Sequence, residues 1–588
     1  MASQTFMVRT KKDLLTSLRY FKKCGLVEAT LGGLSFLGAA SELTAQQPRV
    51  SSQPRLVHRW EVEPDLDASW LQHINKPAPI LELTRFASGE AANLIVESQN
   101  AIRLANELNR EDRTASLKSI LEKLTTPDPN EQVQLSIVSA AIQLADASYA
   151  PELWEKLRDH NPSRRLLDPA MVKWKSPLAL DDWRQRLIQS ETPNSQLIVA
   201  IEGVAAVGNE QDLAVLESLL RRDRSNTTLK VVVARAMGSL AQRNLENLAD
   251  DVFASGIDQH ALIVAELLSR HDSDRARDLL GKVLKTGNNA ARNVAYTAIS
   301  RSFGAFAREL APEMLLQSNN HLRQQAIEVL NRFDDPESLR QQAIAMDDRN
   351  LTIRNTAREN IEKKAQNAAL KVVVDETITM QLKSDSPRAV VQSILLSVSL
   401  DQRERCPQLV ALLDHPDMDV SITAAWGLQS IVDSPELLDL ILKHTDLATQ
   451  RLRKGEAISV SEFVKQAFLF EALGRNHYKP AIPSLKLYVP KSRLKLMNFT
   501  RATAIWAIGK IQEGSRDETT ATLIAQRMLD RSDDDPEDPL VQFTSAIALG
   551  FIRAPGSIEQ LNKVIYAPPS PIGLARDWSL KQIRDSKE

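Results

Sequence analysis

The sequence predicts an all-α protein built as an α-solenoid, a superhelix of stacked helical hairpins. One apolar pattern recurs every 31 residues between residues 229 and 361. Aromatic residues make up only 5% of the chain, which suits helices packed through Ala, Leu, Ile and Val. The sequence also lacks the long alternating β-branched runs that a sheet protein needs. A chain of 588 residues is too long for one compact core but fits a long array.

The repeat is defined by one reference position and by the residues three and seven places after it. The positions three and seven residues on lie close to one face of a helix, so each copy carries a small-plus-large apolar seam. A single hairpin cannot bury such a seam, whereas a stack of hairpins can. The reference residues are Lys230, Ala261, Arg292, Arg323 and Arg354. The seam residues are Val233, Val264, Ala295, Ala326 and Ala357, followed by Met237, Leu268, Ile299, Leu330 and Ile361.

After Arg354 the same pattern continues at longer and less regular intervals. The extra residues fall between the seams, where inserted loops cost little entropy. We therefore expect about ten or more hairpins in an array over residues 196–566, beginning with a hairpin of residues 196–207 and 212–220. The later reference residues are Arg388, Ser421, Gln466, Arg501 and Gln542.

Several of these copies resemble HEAT repeats, and the 31-residue block resembles the short HEAT-like units of the phycobilin-lyase type. Residues 412–420, Leu-Leu-Asp-His-Pro-Asp-Met-Asp-Val, match the turn between the two helices of a repeat, although Ser421 stands where the family usually has Arg. The Val-Arg step of the family corresponds to Leu322-Arg323 and Ile353-Arg354. The resemblance implies an architecture and leaves the activity open, because such repeats serve scaffolds, transport receptors, lyases and repair enzymes. Ends of the Ala-Leu-Gly type recur at 236–238, 472–474, 507–509 and 548–550.

The N-terminal region, residues 1–45, has features of an export signal. A basic segment that includes Lys11, Lys12 and Lys23 precedes an apolar run, and Leu43-Thr44-Ala45 is a possible cleavage site. We therefore expect a periplasmic or extracellular protein. The alternative is a cytoplasmic protein that begins with an amphipathic helix.

Residues 46–80 are rich in proline and predict an extended linker. Trp60 and Trp70 in this linker either pin it against the first helices or form a docking motif for another protein. Residues 81–195 predict an irregular helical region, either degenerate repeats or an N-terminal cap. Residues 567–588 predict a C-terminal cap.

Charge, cysteine spacing and motifs exclude several classes of function. Lys plus Arg number 73 against 75 Asp plus Glu, so nucleic-acid binding through bulk charge is not indicated. Cys24 and Cys406 form neither a metal motif nor a disulfide framework. The sequence carries no phosphate loop, zinc-helix motif or nucleophile elbow, so we predict no catalytic residue, cofactor or resident metal. We also predict no integral membrane domain.

One acidic turn combines four side chains that could hold a divalent cation: Asp414, His415, Asp417 and Asp419. The turn lacks the glycine and terminal glutamate of an EF-hand. We therefore expect its carboxylates to cap the following helix.

The most informative functional feature is a basic stretch at residues 475–510, which contains no acidic residue. Tyr488 and Phe499 lie between its cations, so the stretch could bind an acidic partner or a polyanion. The alternative is a solvated face that the acidic loop at 533–538 partly neutralises. The candidate partner-binding residues are Arg475, Lys479, Lys486, Lys491, Arg493 and Lys495.

These observations predict a non-catalytic scaffold or adaptor that presents an extended concave surface to a protein partner. The first alternative is an anion-binding solenoid that uses the basic stretch. The second alternative, an enzyme of the lyase or glycosylase type, rests on the resemblance alone. Such an enzyme could use Trp174, Asp182 and Trp183 in its groove.

Overall fold

The helices pair in the order in which they follow one another along the chain. The computed structural model describes residues 56–66, 110–124, 130–222, 226–255, 260–491, 497–532, 535–566 and 570–586. Within these ranges the chain forms 28 α-helices and no strand, which confirms the predicted α-solenoid. The helices are α1 Arg110–Lys123, α2 Glu131–Leu144, α3 Ala150–Leu157, α4 Asn161–Lys173, α5 Leu180–Ile188, α6 Asn194–Val207, α7 Leu213–Arg221, α8 Thr227–Leu240, α9 Glu246–Ala254, α10 His260–Leu267, α11 Asp274–Thr286, α12 Asn289–Ser302, α13 Gly304–Leu315, α14 Asn320–Asn331, α15 Pro336–Ile344, α16 Leu351–Lys364, α17 Lys371–Gln381, α18 Pro387–Ser399, α19 Cys406–Ala411, α20 Met418–Ile431, α21 Pro435–Arg453, α22 Val460–Arg475, α23 Ile482–Lys486, α24 Asn498–Ile511, α25 Glu518–Leu529, α26 Pro539–Ile552, α27 Ser557–Asn562 and α28 Pro571–Asp585.

Two layers of helices result from this pairing. Each odd-numbered helix packs against the even-numbered helix that follows it, giving fourteen hairpins in the described ranges. Each even-numbered helix also packs against the next even-numbered helix, from α2 to α28. We call the even-numbered helices the second-helix layer. Because each hairpin rests on its neighbours, the array buries seams that no single hairpin could bury.

The 31-residue pattern lies at the centre of this packing. All ten seam residues are at most 1% exposed, and they belong to α8, α10, α12, α14 and α16 or directly follow α10. The seam predicted from the sequence is therefore the contact between successive even-numbered helices.

The arginine at the reference position closes the preceding loop. Arg323 Nη1 donates to the carbonyl oxygen of Gln317 at 2.8 Å, and Arg354 Nη1 donates to that of Asp348 at 2.6 Å. Arg323 also binds the Asp348 carboxylate at 2.6 and 2.9 Å. Carbonyl groups after a helix end have no partner within the helix, and the arginine supplies one. The role of this position is structural.

A second set of cations joins the C-terminal ends of neighbouring even-numbered helices. Each side chain donates to a backbone carbonyl at or near the end of the preceding even-numbered helix, where the helix dipole favours a positive charge. The donors and acceptors are Arg270 to Ser239 at 3.1 Å, Arg301 to Ser269 at 3.1 Å, Arg332 to Ser300 at 2.6 Å and Lys364 to Phe333 at 2.6 Å.

The glycines of the Ala-Leu-Gly ends allow the last helices to approach closely. A Cβ atom on Gly509 of α24 would lie 2.7 Å from the Cα of Ala548 in α26. A Cβ on Gly474 of α22 would lie 2.8 Å from the Cα of Ala507 in α24. Real Cβ atoms essentially never come that close to a backbone atom, so these positions require glycine.

The hairpin boundaries around residue 200 differ from those expected. The sequence suggested a hairpin of residues 196–207 with residues 212–220, but α6 instead packs on the preceding α5, and α7 packs on α8. The close fit of Trp183 to Gly203 explains this choice, since a Cβ on Gly203 would lie 2.2 Å from the indole. Paired helices also occur before residue 196, from α1 to α5, and α28 is the second helix of the last hairpin.

Candidate protein-binding surface

A short piece of the N-terminal region lies across two helices of the second-helix layer. We call residues 56–66 the N-terminal segment; it contains one 3-10 turn, Arg59–Glu61. It contacts α22 and α24, more than 400 positions further along the chain. Four side chains contact it, and Gln429 of α20 supports one of them, Glu471. We call these five side chains the docking site: Gln429, Phe468, Glu471, Thr503 and Trp506.

The carboxylate of Glu471 is the centre of the docking site. Its side chain is fully buried, and its Oε1 lies 3.0 Å from His58 Nδ1 and accepts from the Arg59 backbone N–H at 3.1 Å. Its Oε2 accepts from Gln429 Nε2 at 3.1 Å. Burial raises the pKa of Glu471, while the contacts with His58, Arg59 and Gln429 oppose that rise. A buried carboxylate needs such donors, and the N-terminal segment provides them for one of its two oxygens.

The imidazole of His58 lies in a stack of aromatic rings. Its centroid is 4.3 Å from that of Phe468, with the planes 11° apart, and 5.4 Å from that of Trp60. The ring of Phe499 lies 6.5 Å away and is tilted. Stacked rings at these distances add to the stability gained from burying their area.

Two tryptophans, one on each side of the contact, use their indole N–H groups. Trp60 Nε1 donates to Thr503 Oγ1 at 3.1 Å, and Trp506 Nε1 donates to the backbone carbonyl of Glu63 at 3.0 Å. Trp506 itself is fully buried and meets Phe551 edge-on at 6.4 Å. The array therefore contacts both the side chains and the backbone of the N-terminal segment.

The N-terminal segment remains a surface element, since each of its residues is half-buried or exposed. Trp60 was expected to pin the linker against the first helices, and it instead contacts α24, near the other end of the array. Trp70 lies outside the described residues. In the sequence, only the charge of Glu471 within the apolar run 467–474 pointed to the docking site. The sequence alone did not show that Glu471 pairs with His58.

The basic stretch is partly engaged within the array. Arg475 donates to the carbonyl oxygen of Val432 at 2.6 Å, and burial, followed by the nearby Arg59, lowers the pKa of Arg475. Lys491 lies 3.2 Å from a carboxylate oxygen of Asp530 and 3.4 Å from one of Asp535. Asp530 and Asp535 thus neutralise Lys491, which is the arrangement expected if this stretch is a solvated face.

The other cations of the stretch differ in their surroundings. Lys479 is exposed and Lys486 is half-buried, and neither forms an ion pair with a described residue. Arg493 and Lys495 lie outside the described residues. Tyr488 is buried, with its hydroxyl bonded to Thr449, and so cannot stack on a ligand. Binding of an acidic partner at this stretch stays a prediction.

The acidic turn before α20 caps that helix. The Asp417 carboxylate accepts from the backbone N–H groups of Asp419 and Val420 at 3.0 and 3.2 Å. His415 Nδ1 accepts from the Asp417 N–H at 3.0 Å, and Asp414 contacts His444 at 2.9 Å. In the part of the chain that the structure describes, no group of three or more His, Cys, Asp or Glu side chains comes together as a metal site.

The three residues suggested for an enzymatic groove do not converge in one. Trp183 is fully buried against α6, and Trp174 is partly buried against the core. Asp182 accepts from Arg164 at 2.5 Å and from Arg186 at 2.7 Å. These side chains hold the first hairpins together.

Comparisons with known proteins show no family for this chain. No protein-family model matches the sequence, and no curated protein matches it. Kap121p bound to Pho4p is similar in structure, with 11% identity, a TM-score of 0.44, and coverage of 87% of this chain and 54% of that chain. Kap95p, solved with RanGDP, gives 12% identity and a TM-score of 0.36, covering 86% and 81%. This chain spans about half the length of Kap121p, and similarity at this level carries no argument about function.

Among the described residues, every helix falls short of the length and hydrophobicity that a bilayer crossing needs.

Proposed function

We propose that the protein is a non-catalytic adaptor that binds extended polypeptide segments of a partner along its second-helix layer. One observation carries this proposal: the layer already holds a polypeptide segment remote in sequence, residues 56–66, across α22 and α24. The partner is a protein, and the array holds it by contacts spaced along successive helices.

The contacts of the N-terminal segment show what this layer can offer to a polypeptide. Glu471 accepts a backbone N–H, and Trp506 donates to a backbone carbonyl, so part of the recognition would serve any extended chain. Phe468 and Thr503 contact side chains and so select the sequence. Other second helices carry exposed polar side chains, such as Glu328 on α14, that could extend the contact surface.

Site-specific photo-crosslinking tests which layer the partner uses. A photoreactive residue is placed at Glu328, exposed on the even-numbered helix α14, or at Met380, which is 62% exposed on the odd-numbered helix α17. We expect a host protein to crosslink from position 328 and not from position 380. Crosslinking only from position 380, or equally from both positions, would refute the proposal.

We also propose a repeat type for one block of the array and export of the protein. The unit length of 31 residues supports short HEAT-like units of the phycobilin-lyase type for the block between residues 229 and 361. The basic and apolar pattern of residues 1–45 supports export.

A further inference from the structure

We propose that the docking site recognises a partner's peptide that carries an imidazole or another flat ring two residues before a tryptophan, and that residues 56–66 are a tethered ligand that occupies this site in cis. This inference rests on the proposed binding of polypeptides along the second-helix layer. It adds which peptide sequences bind and how the N-terminal segment controls access to the docking site.

The docking site contains a buried polar group that requires a ligand. Without the N-terminal segment, Glu471 Oε1 loses both the His58 contact and the Arg59 N–H, and only Gln429 still serves the carboxylate. The N-terminal segment covers this carboxylate and supplies two of its partners, so a chain that buries the carboxylate must supply equivalent partners. This group belongs to α22 and therefore remains in place when the segment leaves.

The spacing of the contacts defines the ligand. A flat ring occupies position 58 against Phe468, the next residue gives a backbone N–H to Glu471, and an indole at position 60 donates to Thr503. Three residues after the indole, a backbone carbonyl accepts from Trp506. A ring-x-Trp segment that enters a 3-10 turn directly after its ring, as residues 58–61 do, satisfies all four contacts.

The present occupant has the properties of a displaceable ligand. None of its residues is fully buried, and it is joined to α1 through residues 67–109. A covalent tether can give an effective concentration up to the order of 1 mM. A free peptide with an intrinsic Kd of about 10 µM would therefore bind the intact chain about 100-fold more weakly than a chain whose own segment is disabled.

Fluorescence anisotropy with a labelled synthetic peptide of residues 54–66 tests the inference. The full-length double variant His58→Ala/Trp60→Ala disables the tethered ligand with two changes at the surface. We expect this variant to bind the peptide at least 30-fold more tightly than the unchanged chain, on the order of the tether effect. A peptide that carries the Trp60→Ala change serves as the matched control and should bind neither chain.

A change in the docking site itself provides the second arm. Thr503→Val keeps the shape of the side chain and removes the acceptor of the indole N–H. In the His58→Ala/Trp60→Ala background it should weaken peptide binding about 5- to 10-fold, which is the effect of one lost hydrogen bond. Circular dichroism melts confirm that each variant is folded.

A cleavable tether keeps the test decisive if the double variant does not fold. A protease site placed within residues 67–109 is cut in the otherwise unchanged chain. We expect the released N-terminal fragment to leave on dilution and the labelled peptide to take its place.

Two results would overturn the inference: failure of the peptide to bind the folded variant or the cut chain, or equal affinity of the peptide for the unchanged chain and the variant. Neither result affects crosslinking from Glu328, which lies several hairpins from the docking site, so the two proposals can fail separately.

Discussion

Replacing glycine by alanine should have opposite effects on stability at Gly509 in α24 and at Gly281 in α11. Gly509→Ala places a Cβ 2.7 Å from the Cα of Ala548, whereas ordinary contacts begin at 3.4 Å. Gly281→Ala, in the middle of α11, places a Cβ 3.7 Å from the nearest atom of Phe306 and so meets an ordinary contact. The same added methyl group therefore strains one helix pair and leaves the other unchanged.

The magnitude follows from the separation that the first substitution imposes. The two helices must move apart by about 0.7 Å, and a gap of roughly 0.5–1 Å forfeits about a quarter to a half of each contact energy. A large buried side chain makes roughly 40–60 contacts of about 0.1–0.2 kcal/mol each, so the loss is about 2–4 kcal/mol. Replacing glycine by alanine within a helix returns about 1 kcal/mol. We therefore expect Gly509→Ala to destabilise α24 and α26 by about 1–3 kcal/mol and Gly281→Ala to stabilise by about 0.5–1 kcal/mol.

Hydrogen exchange measured helix by helix is the appropriate assay, because a solenoid does not have to unfold in one step. Gly509→Ala should speed exchange in α24 and α26 while leaving α11 and α12 unchanged. Gly281→Ala should slow exchange in α11. If Gly509→Ala left exchange in α24 and α26 unchanged or slowed it, the argument from the close approach would be wrong.

Three further predictions use other features of the chain. Glu537→Gln removes the anionic partner of the buried Arg501, 2.8 Å away, and should lower the free energy of unfolding by about 3 kcal/mol. Asp433→Asn, which breaks an exposed ion pair with Arg403, should lower it by under about 1 kcal/mol. Equal effects of the two variants in urea melts would contradict this prediction. Burial raises the pKa of the Cys406 thiol to about 11. In a Cys24→Ser chain, a thiol reagent at pH 8 should therefore react with Cys406 only after denaturation. Fast reaction of the folded chain would contradict this prediction. If the export signal is cleaved, N-terminal sequencing of the protein from its host should begin at Gln46, and an intact N-terminus would exclude cleavage.

The architecture could be predicted because the seam is a local property of the sequence. Residues such as Ala295 and Ile299 share one helix face, and an apolar face repeated at a fixed interval can be buried only by stacking. The structural role of Arg501 could also be inferred from its repeat position, and it binds Glu537 as a buried pair. The phase of the hairpins near α6 depended on the fit of Trp183 to Gly203, which no periodicity shows.

The docking site could not be predicted from the sequence, because it joins positions 413 residues apart. In the sequence, Glu471 is one charged residue in an apolar run, and Trp60 is an aromatic residue in a proline-rich linker. The state of the basic stretch itself depended on tertiary contacts. Lys491 meets Asp530 only after α23 and α25 are in place, and Arg475 reaches a carbonyl of the preceding hairpin.

The pairing of His58 with Glu471 also bears on the order of events during synthesis. The ribosome makes residues 56–66 long before α22 and α24 exist, so this segment must wait, unattached, while most of the array assembles. A nascent chain arrested before Thr503 would present the segment to other molecules, and a finished chain would withdraw it. Attachment of the segment therefore marks the completion of α24, while α25 to α28 are still to follow.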